Sequence, residues 1–314
     1  MTGDGAREGP LGNPGHQPDE HRETVLPGPG GANRSPAGSG AVRTQRGPHD
    51  AAEGSLRDRA PLPADPSLCP PLAPTTVARF DAGCAALGLG DLPPGARDAI
   101  LGHLRLLLAW TAAINLTAIR DPDAAMTGHL LDSLAAVPLL REAGVTRFLD
   151  LGSGGGYPGL PLALALPAAA ALLVDSIAKK AAFLQVAVVA AGVADRVVVA
   201  AARAEALAVD RRQRERWPAV TVRAVAPLPE LVELAFPLLV PGGLLLAWKR
   251  AGLDDERARA LAAVAALGRG SVKVVQLPAS LPGLEDHVLV AVRKEGPTAS
   301  AWPRTPAERK RRPW

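Results

Sequence analysis

The chain has little cysteine and few aromatic residues. Its 314 residues include two cysteines, one tyrosine, four phenylalanines and five tryptophans. Cys69 and Cys84 share no metal-ligand spacing and make no disulfide framework, so both read as free thiols in a reducing compartment. Long hydrophobic runs are missing too. The longest, LPLALALPAAAALLV at 160–174, is too short to span a bilayer and is broken by prolines. The first residues, MTGDGAREGPLGNPGHQPDE, have no apolar core and do not read as a secretory signal. A cytoplasmic protein without a membrane partner is expected. A strong excess of one charge is absent as well: the formal net charge is +4, compatible with a nucleic-acid partner without demanding one. Finally, no Ser/His/Asp or Cys/His arrangement for nucleophilic catalysis stands out.

Glycine and proline, by contrast, are plentiful, at 32 and 31 residues. They crowd into residues 1–72 with arginine and aspartate, where bulky apolar residues are scarce and no period appears. Such a segment buries too little surface to offset its ordering entropy, and a disordered extension is expected over 1–72. From residue 73 to 145 the pattern turns helical. Val77, Phe80, Cys84 and Leu87 share one face; Ile100, Leu104, Leu107 and Leu108 share another. A third helix starts at Asp121 as N-cap with Pro122 at its first position.

The period then changes. Short apolar runs at 147–151, 170–175, 196–201, 219–225 and 243–249 alternate with helical segments at 177–191, 228–239 and 253–267. Continuous apolar strands separated by helices predict a parallel sheet covered on both faces. Two further runs, SVKVVQL (271–277) and DHVLVAV (286–292), are close enough to form a hairpin at one edge. The expected fold is α/β: a doubly wound, mostly parallel seven-stranded sheet with a helical N-terminal cap. Its main domain is expected over 146–295, and a basic tail over 296–314.

After the first strand comes GSGGGYPG at 152–159. In a doubly wound sheet this turn lies at the switch point, where glycine lets a backbone approach a ligand. Gly152, Gly154 and Gly156 are followed by Tyr157, where a dinucleotide fingerprint has its third glycine. Asp175 closes the second strand and suits the two hydroxyls of a ribose. A glycine turn with a ribose acid fits an adenosine-bearing ligand, and the shortened pattern favours S-adenosylmethionine over a nicotinamide dinucleotide. A nicotinamide-dependent oxidoreductase stays open as the alternative.

Several blocks, in order, resemble the glucose-inhibited division protein B family, the guanine-N7 methyltransferases of bacterial 16S ribosomal RNA. They are INLTAIRDP (114–122), HLLDSL (129–134), DLGSGGGYPGLPLA (150–163), VDSIAKKAAFLQ (174–185), RAEAL (203–207), VRAVAPLPELVELAFPLLVPGG (222–243) and WPRTPAERKRRPW (302–314). The resemblance covers about 75–314 and implies a class I S-adenosylmethionine-dependent methyltransferase. Carried onto this chain, its cofactor contacts fall on Gly152, Tyr157, Ala204, Glu205 and Arg223, beside Asp175. Tyr157 stands where the family often has phenylalanine. Ala307, Glu308 and Arg309 depart from the family's usual tail.

The resemblance implies 16S ribosomal RNA, or the small-subunit particle, as partner, and a monomer acting on it. Guanine N7 carries a lone pair and no proton, so direct in-line attack requires no general base, and no catalytic residue is assigned. A methyltransferase acting on another substrate class remains an alternative on fold grounds. Phosphate contacts are expected from Arg309, Lys310, Arg311 and Arg312 in the tail, with Lys249 as a further candidate. His129 and Asp132, three apart on one helix, either pair with each other or line the cleft.

Overall fold

The computed structural model describes residues 61–314. Among the described residues, four α-helical segments precede the sheet. α1 (Pro74–Ala86) and α2 (Ala96–Thr111) form where the apolar spacing predicts, and they bury Phe80, Cys84, Ile100, Leu104 and Leu107. α3 covers 122–134. It opens behind Asp121, whose side chain accepts from the Ala124 N–H at 2.7 Å. It then widens into a π-helical turn, Met126–Leu131, before closing as Asp132–Leu134. Such turns are rare and cluster at functional sites. α4 (Val137–Glu142) leads into the sheet.

The strands are β1 (Arg147–Leu151), β2 (Ala170–Asp175), β3 (Val197–Ala201), β4 (Trp217–Arg223), β5 (Leu239–Arg250), β6 (Gly270–Gln276) and β7 (His287–Lys294). Their order is β3-β2-β1-β4-β5-β7-β6, with β7 antiparallel to both neighbours. The connecting helices are α5 (Gly159–Ala165), α6 (Ala178–Ala190), α7 (Ala204–Val209), α8 (Leu228–Ala235) and α9 (Asp254–Leu267). This is the class I methyltransferase arrangement. The order reverses at β1, which pairs with β2 on one side and β4 on the other. Ligands of doubly wound sheets bind at such a point, beyond the carboxyl ends of the strands.

Two apolar cores flank the sheet. Phe148 and Leu173 pack with α1–α6 on one face; Leu149, Leu151 and Val174 pack with α7–α9 on the other. The alternation along β1 is the two-residue period of a strand, with both faces buried. The cap helices share the first core with β1, α5 and α6, so they form a layer of the same unit rather than a separate domain.

Two sequence boundaries are corrected. Most of the extension expected over 1–72 lies outside the described residues, but 61–72 is ordered. Pro66–Leu68 forms a 3-10 turn and Cys69 is buried. Trp110 Nε1 of α2 donates to the Pro63 carbonyl at 2.7 Å, and Arg105 Nε donates to the Pro70 carbonyl at 3.0 Å. The segment lacks a period of its own because α2 supplies the donors that order it.

The basic tail is likewise folded. A short helix, α10 (Pro306–Arg311), starts at a capping box between Thr305 and Glu308. Arg309 is buried, while Lys310, Arg311 and Arg312 are exposed. Of the four cations expected to meet phosphate, one is therefore turned inward. Among the described residues no helix is long and apolar enough to cross a membrane.

Candidate functional site

The glycine turn is built from below by polar anchors. Asp150 is fully buried in β1 and its carboxylate accepts from Thr221 Oγ1 at 2.7 Å and from the Gly159 N–H at 3.1 Å. Ser153 Oγ donates to the Asp150 carbonyl at 3.1 Å and accepts from the Val174 N–H at 3.2 Å. Burial pushes the Asp150 carboxyl up, against the pull of the Thr221 hydroxyl. A side chain at Gly159 would lie 2.6 Å from an Asp150 oxygen, so the helix can start only on glycine there.

The four glycines serve different neighbours. A Cβ on Gly156 would meet His103 Nε2 at 2.7 Å, and one on Gly155 would meet Leu107 at 2.5 Å. Both clashes are with α2, which supports the turn from behind. His103 Nε2 donates to the Gly155 carbonyl at 2.8 Å, which leaves Nδ1 buried without a partner. Burial holds the His103 pKa down to about 4, so the ring is neutral. Gly152 differs. Its φ is +72° and its Cβ position points at the Val225 side chain, 2.5 Å away, on the cleft side of the turn. Gly155 and Gly156 are small for packing against α2, and Gly152 for its φ and for Val225; Gly154, with φ +57° and no atom nearer than 3.8 Å, has open space where a side chain would go and lines the larger cavity.

Two cavities meet at Gly152. The larger, about 520 Å³, is lined by Gly152–Gly155, Tyr157, His129, Asp132, Arg223 and His287 among others. The smaller, about 210 Å³, lies over the ends of β1, β3 and β4 and is lined by Gly152, Ser176, Ala204, Glu205, Val225 and Arg309 among others. The predicted residues divide between them: Tyr157 and Arg223 in the first, Ala204 and Glu205 in the second, Gly152 in both. Asp175 itself is buried and lines neither cavity, but its chain neighbours Val174 and Ser176 line the smaller one. Its Oδ2 accepts from the Gly154 N–H at 2.9 Å and its Oδ1 from the Ile177 N–H at 2.8 Å. Each oxygen keeps lone-pair capacity for a further donor.

The larger cavity has a polar wall. Asp132, almost fully buried, accepts from Arg223 Nη1 at 3.0 Å and pairs with His287 Nδ1 at 2.9 Å. Arg223 Nη1 also donates to the Gly128 carbonyl at 2.9 Å, in the π-helical turn, and Nη2 donates to His129 Nδ1 at 3.2 Å. An arginine cannot accept, so His129 Nδ1 is the bare nitrogen and Nε2 carries the proton, which it donates to Thr117 Oγ1 at 2.7 Å. Burial and the Arg223 charge hold the His129 pKa down to about 4. His129 and Asp132 thus do not pair with each other; both face the cleft and are joined through Arg223.

The Tyr157 ring lies against His103 at 4.5 Å and His129 at 5.0 Å between centroids. Its hydroxyl is buried without a partner, and burial pushes its pKa upward. Lys249 lines the cavity but is held by Glu256 at 2.6 Å and the Ala226 carbonyl at 3.0 Å, so it is not the open phosphate contact expected of it. Lys180, half-buried, also lines the cavity, as does Arg250, which is exposed and pairs with Asp286 at 3.1 Å.

The sequence carries no site signal for His287 or Trp248, and Arg309, expected to meet phosphate, turns inward to the smaller cavity instead. His287 arrives because β7 runs antiparallel and its first residue pairs with Arg250 at the end of β5. The expected edge hairpin carried that information: the start of a returning strand lies beside the carboxyl ends of the parallel ones. Trp248 Nε1 donates to the Asp132 carbonyl at 2.8 Å.

Residues 97–282 match the family model described as rRNA small subunit methyltransferase G. The chain is 44% identical over 206 residues to the ribosomal RNA small subunit methyltransferase G of Roseiflexus castenholzii, covering 65% of this chain and 86% of that one. It is 41% identical over 211 residues to the protein of the same name from Chloroflexus aggregans, covering 67% and 87%. With that of Cupriavidus pinatubonensis it shares 40% over 232 residues, covering 69% and 93%. Sequence blocks, sheet order and glycine turn thus agree with one assignment: the chain belongs to the rRNA small subunit methyltransferase G family.

Proposed function

We propose that this chain transfers a methyl group from S-adenosylmethionine to N7 of a guanine in 16S ribosomal RNA. The observation that carries the reading is the meeting of two cavities at Gly152, the turn residue that lines both. The residues fit the cofactor by chemistry. Asp175 offers a charged acceptor for two ribose hydroxyls. Glu205 offers one for an amino group, with Ala204 beside it as backbone wall. Arg223 uses three of its guanidinium N–H groups on Gly128, Asp132 and His129, and has donors left for a carboxylate. Tyr157 backs this wall, its ring stacked on His129 with the Arg223 guanidinium 5.6 Å from its centroid.

When bound, S-adenosylmethionine supplies a methyl group activated by a sulfonium, open to attack by an unprotonated ring nitrogen. The protein's task is then to orient and to exclude water. The cavity is consistent with that division of labour. His129 is neutral, with its bare nitrogen occupied by Arg223, and so is not poised to take a proton. Asp132 sits inside the wall, where its charge bears on a cation developing in the cavity. Lys180 and Arg250 along the larger cavity suit a polyanion, and contacts to phosphate position without reading sequence. We take the catalytic unit to run from about residue 61 to 314, acting as a monomer in the cytoplasm.

The test is calorimetry with S-adenosylhomocysteine and, separately, a nicotinamide dinucleotide. The first should bind and the second should not. Asp175→Ala should weaken binding about tenfold to a hundredfold, as loss of charge-assisted hydrogen bonds implies. Unchanged affinity with a lowered melting temperature would make Asp175 a loop anchor only.

A further inference from the structure

Arg309 has no role in the family resemblance, and its neighbourhood in the sequence departs from the usual tail. Yet it is the one buried residue of α10, and it forms part of the wall of the smaller cavity opposite Glu205. Its guanidinium is spread over three acceptors. Nη2 donates to Glu205 Oε1, Nε to Glu230 Oε1 at 3.0 Å, and Nη1 to the Arg304 carbonyl at 2.6 Å. Two carboxylates that would repel each other are bridged by one planar cation.

The helix that delivers Arg309 is itself fixed. Arg304 forks onto Glu233, which is fully buried in α8, with contacts of 2.6–3.2 Å. The same guanidinium lies over the rings of Trp302 and Trp314, at 5.1 and 4.9 Å from their centroids. Trp314 Nε1 donates to Glu233 Oε2 at 2.7 Å. The final residue of the chain is thus tied to the same carboxylate as Arg304. An arginine held this firmly fixes the rotamer of whatever it grips.

Glu205 is gripped through one oxygen, and its other oxygen has no hydrogen bond from Arg309. The Arg309 hydrogen bond keeps the Glu205 carboxyl below its ordinary range despite burial, which otherwise raises it. A fixed, ionised carboxylate accepts from an amino group. It rejects a carbonyl in the same place, because two acceptors then face each other.

We propose that Arg309 is a positioning residue for the cofactor: by holding Glu205, it makes the smaller cavity select a 6-aminopurine over a 6-oxopurine. The C-terminal segment through Trp314 is thereby part of the cofactor site. The inference rests on the reading that the adenosyl group occupies this cavity.

The experiment measures, by calorimetry on the full chain, the affinities of S-adenosylhomocysteine and of S-inosylhomocysteine, which carries a carbonyl where adenine has its amine. The parent should prefer the adenosyl compound by about tenfold to a hundredfold. Arg309→Ala should lower adenosyl affinity about tenfold and remove most of the preference. Arg309→Lys keeps a cation between the carboxylates but loses the fork, and should restore part of it. Glu205→Gln should abolish the preference.

Arg309→Ala also loosens the tail, so melting temperatures are recorded alongside; the ratio of the two affinities is the readout that a loss of global stability does not move. If Arg309→Ala or, should that variant not fold, Arg309→Lys keeps the full ratio while Glu205→Gln loses it, the proposal is overturned and Arg309 merely anchors the tail. If Glu205→Gln also keeps the ratio, the placement of the adenosyl group fails instead, and the proposal with it.

Discussion

The two ends of the described chain both wrap the sheet, but by opposite means. The N-terminal helices α1–α4 are held by leucine, isoleucine and phenylalanine in the same core as β1 and α5. The C-terminal segment after β7 is held by buried charge: Arg304 on Glu233, Arg309 on Glu205 and Glu230, with two tryptophans closed over the first pair. Apolar packing is non-directional and degrades in proportion to what is removed. A buried ion pair fails abruptly, because removing one partner strands the other. Each end also supports one side of the cleft: α2 backs the glycine turn through His103 and Leu107, and α10 backs Glu205.

The sharpest break of this contrast is at the C-terminal end. Arg304→Ala leaves the fully buried Glu233 carboxylate with Trp314 as its remaining side-chain donor. It should cost about 3–5 kcal/mol, read from urea unfolding. Exchanging Arg304 and Glu233 together for apolar residues of similar volume should recover most of that loss, since it is the stranded charge that destabilises. At the other end, Leu107→Ala should cost about 2–5 kcal/mol by the cavity it leaves. No second substitution at a charged site should rescue it.

Acid sharpens the comparison further. His103 and His129 have folded pKa values near 4, below the ordinary value of 6.5. Between those pH values the unfolded chain binds more protons than the folded one, so stability falls as pH drops from about 6.5 toward 4. His103→Gln should flatten that part of the melting-temperature profile. A profile equally steep in the variant would show that His103 takes up its proton without cost. The smallest effect is expected at Tyr157. Its hydroxyl is buried and unpaired. Tyr157→Phe should therefore leave cofactor affinity unchanged and raise stability by about 1 kcal/mol, seen as a higher urea midpoint.

Legibility followed the same divide. The apolar end and the sheet could be read closely: the strand runs at 147–151 and 170–175 match β1 and β2 residue for residue. Asp121 and Pro122 open α3 as their chemistry dictates. Period and capping are local signals, and these elements obey them. The ordering of 61–72 was missed because its partners, Trp110 and Arg105, lie some 40 residues on. The folding of the tail has no local signal because a run of cations looks solvated until Glu205 and Glu230 are known to face Arg309, and Glu233 to face Arg304. Around the cleft, Gly152 came from the glycine motif, and Glu205 and Arg223 from the family resemblance; all three line the two cavities, whereas Asp175 lines neither. The division of labour among the glycines, and the arrival of His287, needed the packing of α2 and the direction of β7. The π-helical turn that carries Gly128 and His129 has no marker in its apolar spacing.

We infer that the cleft at Gly152 methylates one guanine of 16S ribosomal RNA at N7. It is tested most directly by mapping N7-methylguanine along 16S RNA from a strain lacking this gene, complemented with the parent chain or with Gly152→Ala. A side chain there meets Val225 and must adopt a φ of +72°, so the folded state of the variant is checked first by its melting temperature. One N7-methylguanine is expected to be absent from the deletion strain, restored by the parent and not restored by folded Gly152→Ala. An unchanged methylation map on deletion, or full restoration by the variant, would contradict it.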